Sequence, residues 1–401
     1  MKLYNQQMIK SINKKQVYLL INNYPGISRA EIATSTNLSK TTVSALTDEL
    51  IQESFIIDTG ASGTSRIGRK PNSLYVNDIK NGFIVVNWHK RNIEIALVGA
   101  GLGVKEMMDI CIDIQMDYVI QIKTAITNFI HDFAVNRSIL GICFIVPGIV
   151  NQEKKSIYSR VLNFEDDTDI ISRLRNAIPN YPIAIFNDTA CYAYAENIFG
   201  DNDLRNKNYA YLNINEGIGA TLVNDGKILR GANGMSTQFG HFSINRNGHK
   251  CICGNRGCLE NEIGELALPR RINDFGLTSY FENPELVLFR DIGKLAQEDE
   301  KSIEVLLDAL AQDLGYGLSN LIVMFHPEKI IIGGKGKKLG EIFIEKVRNN
   351  VGQVGFMHFV KNVGIEYTSL GEEAAISGAV KYFVDMHFGF IEDMNGKLYL
   401  S

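Results

Sequence analysis

The sequence predicts an α/β protein that carries a small helix-rich domain at its N-terminus. Three observations support this prediction. Short helices with capping residues occupy residues 8–50, and two strand-like segments follow them. Apolar strand-like runs then alternate with helical segments from about residue 82 onward, which is the pattern of layered α/β domains. A histidine and three cysteines lie close together in the sequence, with the spacing of a metal site.

Length and composition favour a globular protein of two or three domains inside the cell. The 401 residues exceed one ordinary domain. No apolar run approaches the length of a membrane span, and the N-terminus lacks an apolar signal-peptide core. Three further cysteines stand singly in apolar or small-residue settings, which predicts reduced thiols in the core. We therefore expect a cytoplasmic protein that does not bind membranes. These cysteines are Cys111, Cys143 and Cys191.

Charge is distributed unevenly along the chain. Residues 1–80 contain ten basic and six acidic side chains, whereas the whole chain has a formal net charge of −4. A mildly basic N-terminal part on an acidic body indicates that only the N-terminal part meets a polyanion.

The N-terminal part has the pattern of a helix-turn-helix. A first helix spans residues 8–23, and Ser28 and Glu31 form a capping box that begins a short second helix. Ser39 caps a third helix, in which apolar residues recur at positions 43, 46 and 50 and predict the buried face. The small polar and cationic residues near the start of this helix face outward, where they suit entry into a DNA major groove.

A basic hairpin follows the third helix. Residues 55–58 and 74–76 are strand-like, and a segment rich in glycine, serine and basic residues connects them. Together these elements predict a winged helix-turn-helix domain over residues 1–78 that binds double-stranded operator DNA. The alternatives are a helical bundle used for dimerisation and a basic loop that is a solvated linker. The predicted DNA-binding residues are Arg29, Ser39, Lys40, Thr41, Thr42, Ser44, Arg66, Arg69 and Lys70.

The most specific signal is the cluster of His241, Cys251, Cys253 and Cys258. Three thiolates and one imidazole are the donor set of a closed, tetrahedral structural zinc site. Two glycines between the last two cysteines allow the backbone to turn tightly enough for these side chains to converge. The alternative is a group of buried free cysteines, and His249 is a second candidate for the imidazole. We predict structural Zn2+ in segment 241–258.

Residues 79–401 form the predicted α/β body, and here the chain resembles the ROK family (repressors, open reading frames, kinases). The resemblance covers nearly the whole chain and implies a body with the two-lobed actin-like, sugar-kinase ATPase fold. The cysteine cluster is its most specific part. The other matching stretches are the winged helix, residues 28–31 and 68–71, Pro147-Gly148, Asn187-Asp188, residues 217–219, 231–234, Gly240-His241, 251–260, Gly333-Gly334 and 371–378.

The departures from the family pattern concern phosphate binding. Family kinases begin this body with an aspartate followed by Gly-Gly-Thr, whereas Asn87, Trp88 and His89 stand here. A second loop, Gly-Thr-Gly-Ile-Gly in the kinases, contains Glu216 in this chain. Bulky side chains and a carboxylate both disfavour a bound triphosphate. We therefore expect a protein that is not an enzyme, and the alternative is an active sugar kinase with a DNA-binding domain.

The sugar-binding positions of the family are better preserved. An Asn-Asp pair, a Glu-x-Gly-His stretch and a glutamate after the last cysteine hydrogen-bond sugar hydroxyls in the family. The resemblance assigns these roles to Asn187, Asp188, Gln238, His241 and Glu260. Gln238 replaces the family glutamate, which removes a charge-assisted hydrogen bond. Two plainer roles stay open, because an Asn-Asp pair also caps helices and a glutamate at a helix start is often solvated.

These predictions combine into a DNA-binding transcriptional regulator, a repressor of carbohydrate-utilisation genes that senses a sugar or sugar derivative. We expect a homodimer, or a tetramer of such dimers, because operators are usually two-fold symmetric and regulators of the family oligomerise. A further alternative is a body that docks a protein partner in place of a sugar.

Overall fold

The computed structural model describes residues 6–61, 72–113, 115–151, 156–159, 161–167, 169–200, 204, 207–231, 237–298, 301–354 and 357–390. The chain divides into two compact units. The first comprises Met1–Cys191 and Ala375–Ser401, and the second comprises Tyr192–Ala374. Within the described ranges, no helix combines the length and apolarity needed to cross a membrane.

The N-terminal domain has the predicted order of three helices and a hairpin. The capping box is confirmed, since Ser28 and Glu31 each accept a hydrogen bond from the backbone N–H of the other. Ser39 accepts from the N–H of Thr42, and the predicted apolar face of the third helix is buried. The elements are α1 (Gln6–Asn23), α2 (Arg29–Thr36), α3 (Lys40–Gln52), β1 (Ile56–Ala61) and β2 (Asn72–Val76), with β1 and β2 antiparallel.

A five-stranded sheet with the order β10-β6-β3-β4-β5 forms the centre of the first unit. Strands β3, β6 and β10 are parallel, and β4 and β5 continue the sheet in antiparallel fashion. The elements are β3 (Asn81–Trp88), β4 (Asn92–Gly99), β5 (Val104–Cys111), α4 (Tyr118–Phe133), β6 (Ser138–Val146), β7 (Ile149–Asn151), β8 (Ser156–Ser159), β9 (Phe164–Asp167), α5 (Ile170–Ala177) and β10 (Ile183–Asn187). Strands β7, β8 and β9 form a separate small sheet.

The second unit contains a five-stranded sheet with the order β13-β12-β11-β14-β15, in which β11, β14 and β15 are parallel. Twelve residues of one long helix, α10, are buried, and nine of them pack with apolar residues of the sheet in the core of this unit. The elements, with α6 at the boundary, are α6 (Asp188–Phe199), β11 (Tyr209–Ile214), β12 (Ile218–Asn224), β13 (Lys227–Ile228), α7 (Leu259–Ile263), α8 (Leu268–Asp274), α9 (Phe289–Gln297), α10 (Lys301–Phe325), β14 (Lys329–Gly333), α11 (Gly340–Val354), α12 (Met357–Val360) and β15 (Gly364–Tyr367).

The C-terminal part of the chain returns to the N-terminal domain, which the sequence analysis did not predict. Helix α13 (Ala374–Met386) is followed by Phe388 and Phe390, whose rings lie 5.0 and 5.7 Å from the ring of Tyr18. Phe55 adds a fourth ring, 5.0 Å from that of Phe390. The winged helix-turn-helix domain therefore shares an aromatic core with residues at the other end of the sequence.

Candidate functional site

The donor atoms of the four predicted zinc ligands converge in the second unit. His241 ends the 3-10 turn Phe239–His241, and Cys258 immediately precedes α7. Cys251 and Cys253 lie in the turn between them. The imidazole nitrogen and the three sulfur atoms all lie within 4.8 Å of one another. The structure therefore brings the whole predicted donor set together.

The spacing of these atoms suits a tetrahedral metal ion. The Nδ1 of His241 lies 3.6 Å from the Sγ of Cys251, and the Sγ atoms of Cys253 and Cys258 are also 3.6 Å apart. In a tetrahedral site with Zn–S bonds of about 2.3 Å, two sulfurs lie about 3.8 Å apart and a nitrogen and a sulfur about 3.6 Å apart. A disulfide bond would require about 2.0 Å. The geometry fits four separate donors around one ion.

A cation would stabilise the thiolate forms of these clustered cysteines. Cys251 and Cys258 are buried, whereas Cys253 is exposed. Burial and the neighbouring thiols raise the pKa of Cys258 far above its usual range. A dication among the thiols lowers their pKa values, because it stabilises each thiolate. His249, the second candidate for the imidazole, is exposed and does not belong to the converged group.

Three of the predicted sugar ligands, Gln238, His241 and Glu260, lie in or next to segment 241–258. Gln238 is exposed, and its carbonyl accepts the backbone N–H of His241 at 3.0 Å. Since the Nδ1 of His241 faces the cysteines, its Nε2 is the ring atom that can meet another ligand. Glu260 lies in α7, two residues after the last cysteine, and its Oε2 accepts the N–H of Ile218 at 3.2 Å.

The other two predicted sugar ligands lie in the first unit, where β10 passes into α6. The Oδ1 of Asn187 accepts the N–H of Ala190 at 3.1 Å, so the capping role predicted for this pair is present. Its Nδ2 donates to the carbonyl of Gly148 at 2.8 Å. Asp188 is partly buried, and desolvation raises the pKa of its carboxyl group although the N–H of Thr189 bonds to it at 2.7 Å.

Residues 87–89, which the resemblance predicts to correspond to the first phosphate loop of the kinases, are held by contacts of their own side chains. The Nδ2 of Asn87 donates to the Oε2 of Glu94 at 2.7 Å, and the Nε2 of His89 lies 3.3 Å from the same oxygen. Hydrogen bonds from these two side chains lower the pKa of Glu94 despite its partial burial. Trp88 is buried in the core, with its ring 5.3 Å from that of Phe164.

The loop that connects β11 to β12 contains Glu216, at the position that the resemblance predicts to correspond to the second phosphate loop of the kinases. The Oε1 of Glu216 pairs with the Nζ of Lys335 at 2.6 Å, and the Oε2 of Glu265 lies 3.4 Å from the same ammonium. Lys335 and Glu265 were not among the predicted site residues, and they lie 119 and 49 positions from Glu216 in the chain. Only the adjacency of Lys335 to the Gly333-Gly334 pair could have drawn attention to it.

The predicted DNA-binding residues fall into four groups. Lys40 and Thr41 are exposed at the start of α3, and Ser39 is exposed while its hydroxyl caps the helix. Arg29 instead donates to Asp48 at 2.7 Å, and its guanidinium lies 3.8 Å from Asp58. Thr42 and Ser44 are half-buried. The wing residues Arg66, Arg69 and Lys70 lie outside the described residues.

Comparison with known proteins agrees with both parts of this description. Residues 91–385 match the ROK family, and residues 10–57 match a winged helix-turn-helix DNA-binding family. The chain belongs to the ROK family. It is 31% identical over 97% of its length to a protein named xylose repressor from Caldicellulosiruptor bescii, of which it covers 99%. It is 23% identical over 93% of its length to the DNA-binding transcriptional dual regulator NagC of Escherichia coli, of which it covers 92%.

Solved structures of the ROK family show the same architecture. The chain superimposes with a TM-score of 0.81, at 25% identity, on a ROK family transcriptional regulator described as a homologue of the E. coli MLC protein, and the match covers 94% of this chain and 96% of that one. A ROK hexokinase from Thermus thermophilus matches with a TM-score of 0.62 at 22% identity, covering 74% of this chain and 96% of that one. The kinase likeness shows the shared fold of the body.

Proposed function

We propose that this protein is a transcriptional repressor that responds to a sugar. One observation carries the proposal: a winged helix-turn-helix and a ROK body occur in one chain that aligns almost end to end with a protein named xylose repressor. The exposed start of α3 is the surface that enters the major groove of the operator. Function at DNA also supports a cytoplasmic location, and a two-fold operator calls for a homodimer.

We assign structural zinc to His241, Cys251, Cys253 and Cys258. Four protein donors complete a tetrahedron and leave no position for a catalytic water. The ion would hold the segment that contains Gln238, His241 and Glu260, and it would fix the tautomer of the imidazole so that Nε2 is presented to the effector.

We assign effector-binding roles, as the resemblance implies, to Asn187, Asp188, Gln238, His241 and Glu260. Carboxylates, amides and an imidazole suit vicinal hydroxyls because each offers directed donors or acceptors. Relatives named xylose repressor and N-acetylglucosamine repressor make D-xylose and N-acetylglucosamine the first sugars to test.

Three contacts argue against phosphoryl transfer. Asn87 is bonded to Glu94, Trp88 is part of the core, and Lys335 is paired with Glu216 where the kinases hold phosphates. A sugar kinase with a DNA-binding domain is the second candidate function. A coupled assay with ATP, Mg2+ and a panel of hexoses and pentoses separates the two, since the repressor should show no turnover above background.

DNA binding and the sugar response can be tested together. Genomic fragments retained by the immobilised protein are sequenced, and the strongest is titrated by fluorescence anisotropy with and without each sugar. We expect one sugar to change the dissociation constant at least about fivefold, a usual coupling strength. If the retained fragments share no sequence, the protein has no specific operator, and this result would contradict the proposed repressor function. A specific operator that no sugar affects would favour control by a protein partner.

The recognition surface has its own control. Lys40→Ala should weaken operator binding and reduce the salt slope by about one, because one phosphate contact is lost. Lys123→Ala removes an exposed lysine of α4 and should change neither quantity.

A further inference from the structure

The loop of residues 215–217, which takes the place of a phosphate loop, is tied into the segment that carries Glu260. The N–H of Glu265 donates to the carbonyl of Asn215 at 2.9 Å. The N–H of Ile218, the residue after the loop, donates to the Oε2 of Glu260 at 3.2 Å. Gly264 lies between the two backbones, since a Cβ there would come within 2.6 Å of the carbonyl oxygen of Glu260 and 2.8 Å of that of Glu216. A shift of the loop therefore shifts the hydrogen bond that orients Glu260.

Lys335 holds this loop through both its backbone and its side chain. Its N–H donates to the Oδ1 of Asn215 at 2.8 Å, and its ammonium pairs with Glu216 and Glu265. Glu265 is almost fully buried, and its other oxygen accepts the N–H of Phe289 at 3.1 Å. A buried carboxylate needs a compensating charge, and removing that charge disturbs the structure around it. The two carboxylates in turn raise the pKa of Lys335 despite its partial burial.

We propose that Lys335 is a positioning residue for effector binding. Its ion pairs with Glu216 and Glu265 clamp the 215–217 loop and so fix the N–H of Ile218 under the carboxylate of Glu260. The loop that in kinases serves a nucleotide serves here as a support for the sugar ligand. The role in effector binding rests on the function proposed above, whereas the role in ordering the loop does not.

The chain offers a matched control for this proposal. Lys346 of α11 lies in the same unit, and its ammonium also pairs with two carboxylates, Glu304 at 3.0 Å and Asp308 at 2.6 Å. These contacts join α11 to α10 and do not involve the 215–217 loop. Loss of either lysine therefore removes one doubly paired ammonium, but only one of them supports Glu260.

The experiment compares the full-length wild type with Lys335→Met, Lys335→Arg and Lys346→Met. Hydrogen–deuterium exchange is followed in peptides that cover residues 214–219, and D-xylose binding is measured by calorimetry. We expect Lys335→Met to speed exchange of the Ile218 amide and to weaken D-xylose binding about tenfold, as loss of a supporting residue commonly does. Lys335→Arg should keep most of the exchange protection of the Ile218 amide and most of the D-xylose affinity. Lys346→Met should change neither the exchange rate nor the affinity. Zinc content should stay at one ion per chain throughout.

Each result has one meaning. Unchanged exchange around Ile218 in Lys335→Met would overturn the clamp, whether or not a sugar binds. Equal loss of affinity in Lys335→Met and Lys346→Met would overturn the specific role of Lys335. ATP binding to the wild type that Lys335→Met abolishes would also overturn it, because Lys335 would then be a phosphate ligand. A wild type that binds no sugar would count against the proposed function, and the exchange measurement would still decide the clamp.

Discussion

The carboxylate of Glu260 shows how closely single residues define the candidate site. A Cβ at position 217 would overlap its Oε2, so the glycine there leaves the space that the carboxylate occupies. This glycine is a family position that the sequence analysis associated with phosphates. In this chain the same absence of a side chain makes room for a protein carboxylate.

Gly217→Ala should therefore separate effector binding from stability. The overlapping atom is the end of a flexible side chain, so Glu260 can move aside at little cost in the free energy of unfolding. We expect D-xylose affinity to fall about tenfold, because the displaced carboxylate no longer meets the sugar in the right geometry. Calorimetry and thermal denaturation measure the two effects. Gly352→Ala in α11, where a Cβ meets no atom within 4 Å, is the control and should leave affinity unchanged.

The ionised carboxylate of Asp188 lowers the free energy of unfolding of the protein. Burial raises the pKa of its carboxyl group in the folded chain. Such a group contributes stability that is fully present below its unfolded pKa of about 3.9 and is lost as the pH rises through the folded pKa. At pH 7 the ionised Asp188 therefore destabilises the protein, which is tolerable where a ligand needs the charge.

Asp188→Asn should accordingly stabilise the protein at pH 7 and abolish any response to sugar. The gain in the urea concentration at half-unfolding should shrink as the pH is lowered from 7 towards 4, because the wild-type carboxyl group becomes neutral as well. Urea titrations of both proteins at each pH measure this difference. A gain that grows towards acid pH would contradict the burial argument.

At the scale of elements, the segment of residues 241–258 depends on turns that only particular residues permit. Gly257 has a φ of +60°, and a Cβ there would overlap the carbonyl of Asn245. The backbone between Cys251 and Cys258 closes through hydrogen bonds such as that from Cys251 N–H to Asn255 at 2.8 Å. The segment contains few regular elements of its own, so bound metal is the expected source of its order.

Cys253→Ser should lower both zinc content and thermal stability. Three donors hold the ion less tightly than four, and the free energy lost would be several kcal/mol if the metal leaves. Metal analysis and thermal denaturation test this, and a chelator added to the wild type should have the same effect. Cys143 and Cys191 are buried as predicted, whereas the prediction of a core thiol is wrong for Cys111, which is exposed at the end of β5. Cys111→Ser therefore changes an exposed cysteine outside the cluster and should have no effect on zinc content or thermal stability. Wild-type protein that keeps its melting temperature without metal would contradict the assignment.

At the scale of the molecule, aromatic residues from the N-terminal domain and from the segment after α13 pack together within the first unit. Phe388 and Phe390 follow α13 and pack with Tyr18 of α1 and Phe55 before β1. The side-chain hydroxyl of Ser377, in α13, also donates to the carbonyl of Leu102 at 2.8 Å. The orientation of the DNA-binding domain within the first unit therefore depends on α13, the last helix among the described residues.

Phe388→Ala should weaken DNA binding although the residue is far from α3 in sequence. Removing a buried phenylalanine costs about 3–5 kcal/mol, and here the loss falls on the core under the winged helix. Anisotropy with the operator and urea denaturation measure the two effects. Phe199→Ala, at an exposed phenylalanine, is the control. Normal operator affinity in Phe388→Ala would show that the aromatic core does not support the DNA-binding domain.

The sequence by itself determined the features that arise from near neighbours. The capping box at Ser28, the buried face of α3 and the donor set of the zinc cluster all depend on spacings of 17 residues or fewer, and the structure contains each of them. Fold class and family followed from the order of such features. Short-range hydrogen bonds and helical periodicity are visible in a linear pattern because the chain itself places these residues together.

Only the tertiary structure decided what surrounds the site. Lys335 reaches Glu216 across 119 positions, and Phe388 reaches Tyr18 across 370. No spacing rule predicts such pairs, because strand order and helix packing bring them together. Asn187 and Asp188, and likewise Gln238 and Glu260, were assigned by resemblance, and their part in sugar binding stays a prediction. The physical reason is that a ligand site is built from side chains that the fold assembles, whereas a cap or a metal-binding turn is built from its own sequence.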